Sequence, residues 1–325
     1  MKALLCKAHG LPETLSLQTI DSPSPGPGQV LIKVKACGVN FPDSLIIQNL
    51  YQFKPELPFA PGGEVSGIVK EVGEGVVHVK PGDNVFALTG WGGFAEEVVA
   101  DAHKTLPMPA GMDFVTGATT MYTCGTSLHA LKQRAQLQEG ETLLVLGAAG
   151  GVGLAAVQIG KLMGAKVIAA ASSDEKLATC KNMGADEVIN YKTEDLRERI
   201  KELTNKKGVD VVYDPVGDAY SEPAVRSLAW QGRYLVVGFA GGASASIRLN
   251  LPLLKGASIV GVFWGAFAQK QPQDSMANFK QILGWILSGK LKQNVHKQYA
   301  LAEGGQAIRD LMDRKVIGKN VVVLE

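Results

Sequence analysis

Two hydrophobic rhythms divide the chain. Up to about residue 100 the apolar positions favour a period of two. Residues 30–36 (VLIKVKA) alternate apolar and polar side chains, as a half-buried strand does. Residues 65–72 and 84–87 continue the pattern, interrupted by Pro61-Gly62-Gly63 and Pro81-Gly82-Asp83, which are turn clusters. This spacing predicts a small barrel or sandwich-like β unit. From residue 120 onward strand-like and helix-like stretches take turns. Strands are expected at 142–146, 166–171, 187–189, 209–213 and 232–239. Helices are expected at 151–163, 174–183, around Leu196, Ile200 and Leu203, and at 224–230. That alternation predicts a parallel, doubly wound sheet. The tail reads as helices near 275–287 and 303–313 and a last strand at 320–324.

Composition narrows the class without changing this picture. The 325 residues allow two domains of ordinary size, and 46% hydrophobic with 20% charged residues fits a soluble globular protein. A net charge of +2 with no basic block points away from nucleic acid and from a membrane surface. Cys6, Cys37, Cys124 and Cys180 are widely separated and form no C-x-x-C pair, so they read as buried thiols in a reducing compartment. The N-terminal apolar run is too short for a signal peptide, and no stretch reaches the length of a membrane span. A cytoplasmic enzyme is the expectation.

The chemistry enters at Leu143–Leu146 and the loop after it, LLVLGAAGGVG. An aliphatic strand runs into small residues and then into a helix, the layout that brings a pyrophosphate to a helix N-terminus. Gly150 and Gly153 take the second and third glycine positions of G-x-G-x-x-G, and Ala148 replaces the first. A dinucleotide site is expected, with the loop residues Ala149, Gly150, Gly151 and Val152 at the phosphates. The second strand of the sheet then ends in Ser172-Ser173, with no carboxylate at its last position; Asp174 and Glu175 lie just beyond. An NAD site places an acid there for the ribose 2′-hydroxyl. Small hydroxyls leave room for a 2′-phosphate, and Lys176 is placed to meet it, which favours NADPH. Taken alone, Lys176 also reads as a solvated helix lysine and Asp174 as a helix cap.

Several motifs in order carry a resemblance over nearly the whole chain. They are Gly38-Val39-Asn40-Phe41-Pro42-Asp43, Pro61-Gly62-Gly63-Glu64-Val65-Ser66-Gly67, Pro81-Gly82-Asp83-Asn84-Val85, the AAGGVG loop, Gly184-Ala185-Asp186 and Ile317-Gly318-Lys319. Together they resemble the medium-chain dehydrogenase/reductase superfamily, in particular its zinc-free quinone oxidoreductase (zeta-crystallin-like) branch. The resemblance implies an α/β fold: a Rossmann doubly wound parallel sheet at residues 121–260 inserted into a β-rich GroES-like catalytic domain made of 1–120 and 261–325. It implies a cofactor lying in the cleft, and a homodimer joined through the nucleotide domain, with residues 244–249 and 257–263 as candidate edge strands.

The same resemblance bears on metal. Zinc-dependent alcohol dehydrogenases of the superfamily carry a ligand Cys where this chain has Asn40 and a ligand His where it has Gly63, and neither residue present is a usual zinc ligand. Their four-cysteine structural lobe is also missing between Val85-Phe86-Ala87 and Trp91-Gly92-Gly93-Phe94. No metal is expected. Without a Lewis acid to stabilise an alkoxide, reduction of an already electrophilic acceptor is the easier direction.

For the reacting end, the resemblance implies Asn40 near the nicotinamide ribose, Asp43 as an orienting acid of the same segment, Tyr51 at the pocket mouth and Thr123 beside the nicotinamide amide. Each has a structural alternative: a turn asparagine, a helix N-terminal carboxylate, an amphipathic surface ring and a helix-packing threonine. A tyrosine common in related reductases is Leu45 here. Tyr191 is implied at the adenosine phosphate with Lys176, Phe239 at the cofactor edge, Phe263 and Trp264 on an apolar strand lining the pocket, and Lys319 and Asn320 on a segment returning towards the cofactor. The last two read equally as surface residues. The expected activity is hydride transfer from NADPH to a quinone. The alternatives are reduction of an enone or enal carbon–carbon double bond, and an NADPH-binding protein with a sensing or structural role.

Overall fold

A computed structural model describes residues 1–242 and 244–325. The chain forms two compact units, Met1–Tyr122 with Val295–Glu325, and Thr123–Asn294.

The first unit is built on strands. They are β1 (Lys2–Leu5), β2 (Ser16–Thr19), β3 (Gln29–Gly38), β4 (Glu64–Val72), β5 (Asn84–Leu88), β6 (Glu97–Asp101) and β7 (Thr105–Pro107). The long β3 is central, pairing antiparallel with both β4 and β6. Its side chains follow the period-two pattern, with Val30, Ile32 and Val34 buried in a core shared with Phe94 and Tyr299. One short helix, α1 (Phe41–Ile46), follows β3; Pro42 sits in its first turn, and the Asp43 carboxylate accepts the Asn40 N–H at 2.7 Å, one half of a capping box. Helices α2 (Phe114–Gly117) and α3 (Met121–His129) lead out of the unit.

The second unit holds β8 (Thr142–Leu146), α4 (Gly151–Leu162), β9 (Lys166–Ala171), α5 (Asp174–Asn182), β10 (Glu187–Asn190), α6 (Leu196–Leu203), β11 (Val209–Asp214), α7 (Ser221–Arg226), β12 (Leu228–Val236), α8 (Asn250–Lys255), β13 (Ser258–Gly261), α9 (Trp264–Lys270) and α10 (Pro272–Leu287). Its six strands are parallel in the order β10-β9-β8-β11-β12-β13, the doubly wound arrangement. Leu143–Leu146 of β8 are fully buried, as a central parallel strand covered on both faces requires. Local signals set the helices. Ser173 caps α5 by accepting the Lys176 N–H, and Asp195 caps α6 by accepting the Glu198 N–H. Leu196 and Ile200 put the buried face of α6 onto the sheet core.

The chain then returns to the first unit through β14 (Val295–Ala300), α11 (Gly304–Met312) and β15 (Lys319–Val323). β15 pairs antiparallel with β3, and β14 adds parallel to β15.

Five expectations are corrected. Residues 261–294 lie in the second unit, not with the β-rich one. The reason is side-chain ties to α3 and its continuation: a reciprocal amide pair between Gln133 and Asn278 at 3.0 Å, Lys132 on Gln281 at 2.9 Å, and the His129 ring stacked 3.9 Å from Phe267. The helix expected at 224–230 ends at Arg226, because Leu228 already pairs with Val209 and the ladder then bulges before Arg233; the following strand stops at Val236, short of Phe239. Phe263 and Trp264 are not on a strand: β13 ends at Gly261, and Trp264 opens α9. A short apolar run does not distinguish the two states by periodicity. Residues 244–249 carry no strand, whereas the other proposed edge segment contains β13, an outer strand of the sheet.

Leu144 is fully buried in the core of the second unit. Replacing it with alanine should cost about 2–5 kcal/mol, read as a lower denaturant midpoint at unchanged slope.

Candidate functional site

In the second unit the loop from β8 to α4 is shaped by backbone contact. Gly147 has φ +56°, and a Cβ at Gly153 would lie 2.4 Å from the Gly147 carbonyl oxygen, so the chain itself demands glycine there. At Gly150 the situation differs. A Cβ would meet only the Gly147 oxygen, at 3.5 Å, an ordinary contact. The glycine at that position leaves open space at the start of a twelve-residue helix whose first-turn N–H groups, on Gly151, Val152 and Gly153, have no intrahelical acceptor. That is the donor set and the clearance a phosphate needs. Ser127 on α3 fixes the turn, donating to the Val152 carbonyl at 2.9 Å and sharing a 3.0 Å hydrogen bond with the buried Tyr213 hydroxyl.

At the end of β9, Lys176 Nζ donates to Ser172 Oγ at 3.3 Å, so the hydroxyl and the ammonium face one another across the first turn of α5. The Tyr191 N–H donates to the Ala171 carbonyl, which sets Tyr191 beside that strand end, and its ring lies 4.3 Å from the Tyr220 ring. The two tyrosines border an open depression of about 430 Å³ that also involves Arg197 and Arg226. Phe239 and Phe263 are each about half exposed. Trp264 covers Gly125 of α3, where a Cβ would come within 2.7 Å of the indole. Thr123 is buried; its neighbour Cys124 accepts a hydrogen bond from Gln293 at 3.2 Å.

In the first unit Asn40, Asp43, Glu64 and Lys319 form one buried cluster. Lys319 Nζ donates to the Val39 carbonyl at 3.0 Å and to Asn40 Oδ1 at 2.6 Å, and lies 3.4 Å from Glu64 Oε2. Asn40 Nδ2 donates to the Gly38 carbonyl at 3.2 Å and to Glu64 Oε2 at 2.9 Å. Glu64 Oε1 accepts the Tyr122 N–H at 2.9 Å. Both amide hydrogens of Asn40 are therefore committed within the protein. Asp43 accepts N–H groups from Asn40 at 2.7 Å and Gly62 at 3.0 Å. Burial pushes its carboxyl up to about 6, against the pull of those two N–H groups and of the Lys319 charge. Burial likewise raises the Cys37 thiol and the Tyr51 and Tyr122 phenols, and the two tyrosine side chains hydrogen-bond to one another. The Tyr51 ring packs edge-on against Phe53 at 5.8 Å.

The structure thus gathers Asn40, Asp43 and Lys319 into one network. Asn320 is on the same strand as Lys319 but donates to the Ala307 carbonyl at 3.0 Å. Both residues are buried, which corrects the surface reading. Glu64, Gly62 and Tyr122 were missed as site residues. An acid set directly before the small and apolar run Val65-Ser66-Gly67-Ile68-Val69 was the available signal for Glu64. Among the described residues no group of three or more His, Cys, Asp and Glu could hold a metal ion. At Gly63 a Cβ would lie 2.8 Å from the Gly90 carbonyl oxygen, so this backbone has no room for a ligating side chain there.

Comparison with known proteins agrees with this division. An alcohol dehydrogenase GroES-like domain matches residues 26–110, and a zinc-binding dehydrogenase domain matches residues 151–281. The chain is similar to the quinone oxidoreductase-like protein 2 of Bos taurus, with 38% identity over 100% of this chain and 93% of that protein. It is similar to the quinone oxidoreductase of Rattus norvegicus, with 36% identity over 100% of this chain and 98% of that one. Among solved structures, the Escherichia coli quinone oxidoreductase complexed with NADPH superposes with a TM-score of 0.93 at 30% identity, covering 100% of both chains.

Two measurements probe the cluster. Lys319→Met leaves Glu64 as an unpaired buried charge and should cost about 3–5 kcal/mol; adding Glu64→Gln should recover part of it, which denaturant unfolding of the three variants will read. The folded Asp43 carboxyl binds its proton more tightly than its ordinary value of 3.8 allows, so its contribution to stability is full below that pH and is lost as the pH rises through about 6. Carboxyl 13C NMR should find one aspartate titrating near pH 6 that disappears in Asp43→Asn.

Proposed function

The chain belongs to the quinone oxidoreductase branch of the medium-chain dehydrogenase/reductase superfamily, and from that membership and the geometry above we propose that it is an NADPH-dependent reductase of a quinone, working without zinc. The observation that carries the dinucleotide is the clearance at Gly150 against the open N-terminus of α4. The choice of NADPH rests on the Ser172–Lys176 pair at the end of β9, where a 2′-phosphate would gain an ammonium and a hydroxyl. Ala149, Gly150, Gly151 and Val152 hold the pyrophosphate, and Ser172, Ser173, Lys176 and Tyr191 hold the phosphorylated ribose. Phe239, Phe263 and Trp264 supply apolar cover in the same unit.

Bound NADPH supplies a hydride from its nicotinamide ring. The protein's own part is to position and to shield. Thr123 stands at the nicotinamide amide. The Lys319–Asn40–Glu64 network keeps the segment leading into α1 in one conformation, and Asn40 acts through it, since its amide hydrogens are already engaged. Lys319 and Asn320 belong to this support rather than to proton transfer. Asp43 orients by accepting two backbone N–H groups. Tyr51 hydrogen-bonds the acceptor oxygen, and water supplies the proton that accompanies the hydride. The zinc-free reading is supported by Asn40 and by the crowded Gly63 backbone, which stand where a ligand pair would be needed.

We place the enzyme in a reducing compartment such as the cytoplasm; its four cysteines are all buried and none is in a disulfide. No helix among the described residues is long and apolar enough to cross a membrane. We also propose a homodimer formed by the second unit, because β13 is an outer strand and exposed Trp230, Leu253, Leu254 and Ile259 lie on or near that end of the sheet in sequence.

Oxidation of NADPH followed by absorbance should be fast with quinones, slow with enals and unchanged by a chelator; preference for enals would replace the quinone assignment. Tyr51→Phe should lower turnover by less than about tenfold, since an obligatory general acid contributes more than that. Complete loss with intact NADPH binding would make Tyr51 the proton donor. Sedimentation should return twice the mass of one chain, and an Ile259→Lys variant should return one.

A further inference from the structure

The carboxylate nearest the end of β9 is already engaged. Asp174 is the first residue of α5, following Ser172 and Ser173, and its Oδ1 accepts a hydrogen bond from Asn190 Nδ2 at 2.8 Å. Asn190 is the last residue of β10 and is paired in register with Ala171, the last residue of β9. It is 8% exposed, and its other groups are satisfied as well. Its N–H donates to Glu194 Oε2 at 2.7 Å, its carbonyl accepts the Glu194 N–H at 2.8 Å, and its Oδ1 accepts the Lys192 N–H at 3.2 Å. The last of these bonds fixes the sense of the amide. Turned over, the side chain would set Oδ1 against the Asp174 carboxylate and the NH2 group against the Lys192 N–H. The NH2 group is therefore the part of the amide that faces Asp174.

An acid at this place could do two things to a dinucleotide. It could accept the ribose 2′-hydroxyl, as acids at the end of the second strand do in NAD sites, and it could repel a 2′-phosphate. We infer that Asn190 is a specificity-determining positioning residue that holds Asp174 to the β10 side of the site, leaving the Ser172–Lys176 pair to a 2′-phosphate rather than Asp174 to a 2′-hydroxyl. This rests on the proposal that the chain binds NADPH. It goes beyond it by locating the discrimination in a residue that itself touches neither phosphate nor ribose. The acid stays where a helix first turn favours a negative charge, and only its direction is governed by the neighbouring strand.

The test is a set of equilibrium titrations of NADPH and NADH, followed by protein fluorescence, on the full-length wild type, Asn190→Ala, Asp174→Asn and the double variant. In Asn190→Ala the ratio of the NADH to the NADPH dissociation constant should fall by about fivefold or more, through weaker NADPH and tighter NADH binding. Asp174→Asn alone should leave that ratio within about twofold of the wild type, and the double variant should match Asp174→Asn, because the released carboxylate is gone. A merely structural Asn190 would weaken both dinucleotides alike and would not be rescued by removing Asp174; either result overturns the inference. If Asn190→Ala does not fold, Asp174→Asn decides: a gain of several-fold in NADPH binding would mean the carboxylate already acts on the site, and the inference fails. Wild-type binding of NADPH with a ratio unmoved in every variant sinks Asn190 alone. Wild-type binding of neither dinucleotide sinks the NADPH reading and this inference with it.

Discussion

The first unit depends on one buried ion pair. Glu64 is fully buried and Lys319 nearly so, and they stand at the heads of β4 and β15, the strands that flank β3 near its C-terminal end. Taking both charges out of water costs several kcal/mol per ion unless hydrogen bonds replace the hydration. Here they do. The ammonium has a carbonyl, an amide oxygen and a carboxylate within reach, and the carboxylate also receives an amide and a backbone N–H. The pair is therefore satisfied only when residues near positions 40, 64, 122 and 319 are all in place. It ties the C-terminal tail to the entry of α1 and rules out treating β14 and β15 as an appendage.

That constraint reshapes the role of Asn40. A side chain read from its motif as a contact for a ribose has its Nδ2 hydrogens on Gly38 and Glu64 and its Oδ1 on Lys319. It is the neutral bridge that lets an acid and a base share a dry space. Asp43 takes the complementary task and joins Asn40 to Gly62, so that the turns at either end of the cluster cannot drift apart. Burial away from water is what raises the proton affinity of Asp43; its two backbone N–H groups and the nearby Lys319 ammonium oppose it, and the Glu64 charge adds to it only slightly.

The doubly wound sheet was legible because its central strands β8 and β9 are almost wholly apolar and its helices carry caps in the sequence: Ser173, Asp195 and the Gly150 turn all act locally. The errors fall where a short apolar run permits either state, at Leu228 and at Trp264, and tertiary pairing decided them. The boundary at residue 261 failed for a related reason. The last strand of the sheet does not mark the end of the unit, because α9 and α10 fold back on it through Asn278 and Phe267, residues with no local signal. The loop glycines and the Ser172-Ser173 ending are local sequence features, and the turn into α4 and the Ser173 cap of α5 follow from them. The Glu64–Lys319 pair is not local, since 255 residues separate its members and only the closed sheet brings them together.

The two units meet their polar demands in opposite ways, and this bears on what each can contribute. The first unit encloses the Asp43, Glu64 and Lys319 charges and commits their hydrogen bonds internally, so these groups are held in place and poorly placed to carry protons. The second exposes backbone donors at α4, follows β9 with Ser172-Ser173 rather than an acid, and engages the Asp174 carboxylate with Asn190. An anionic cofactor is favoured by the unpaired first-turn N–H groups of α4. Hydride chemistry on an electrophilic acceptor asks for this combination. It needs a firmly held reductant and a fixed, water-poor surface, and it does not need a strong acid, base or Lewis acid at the reacting atoms.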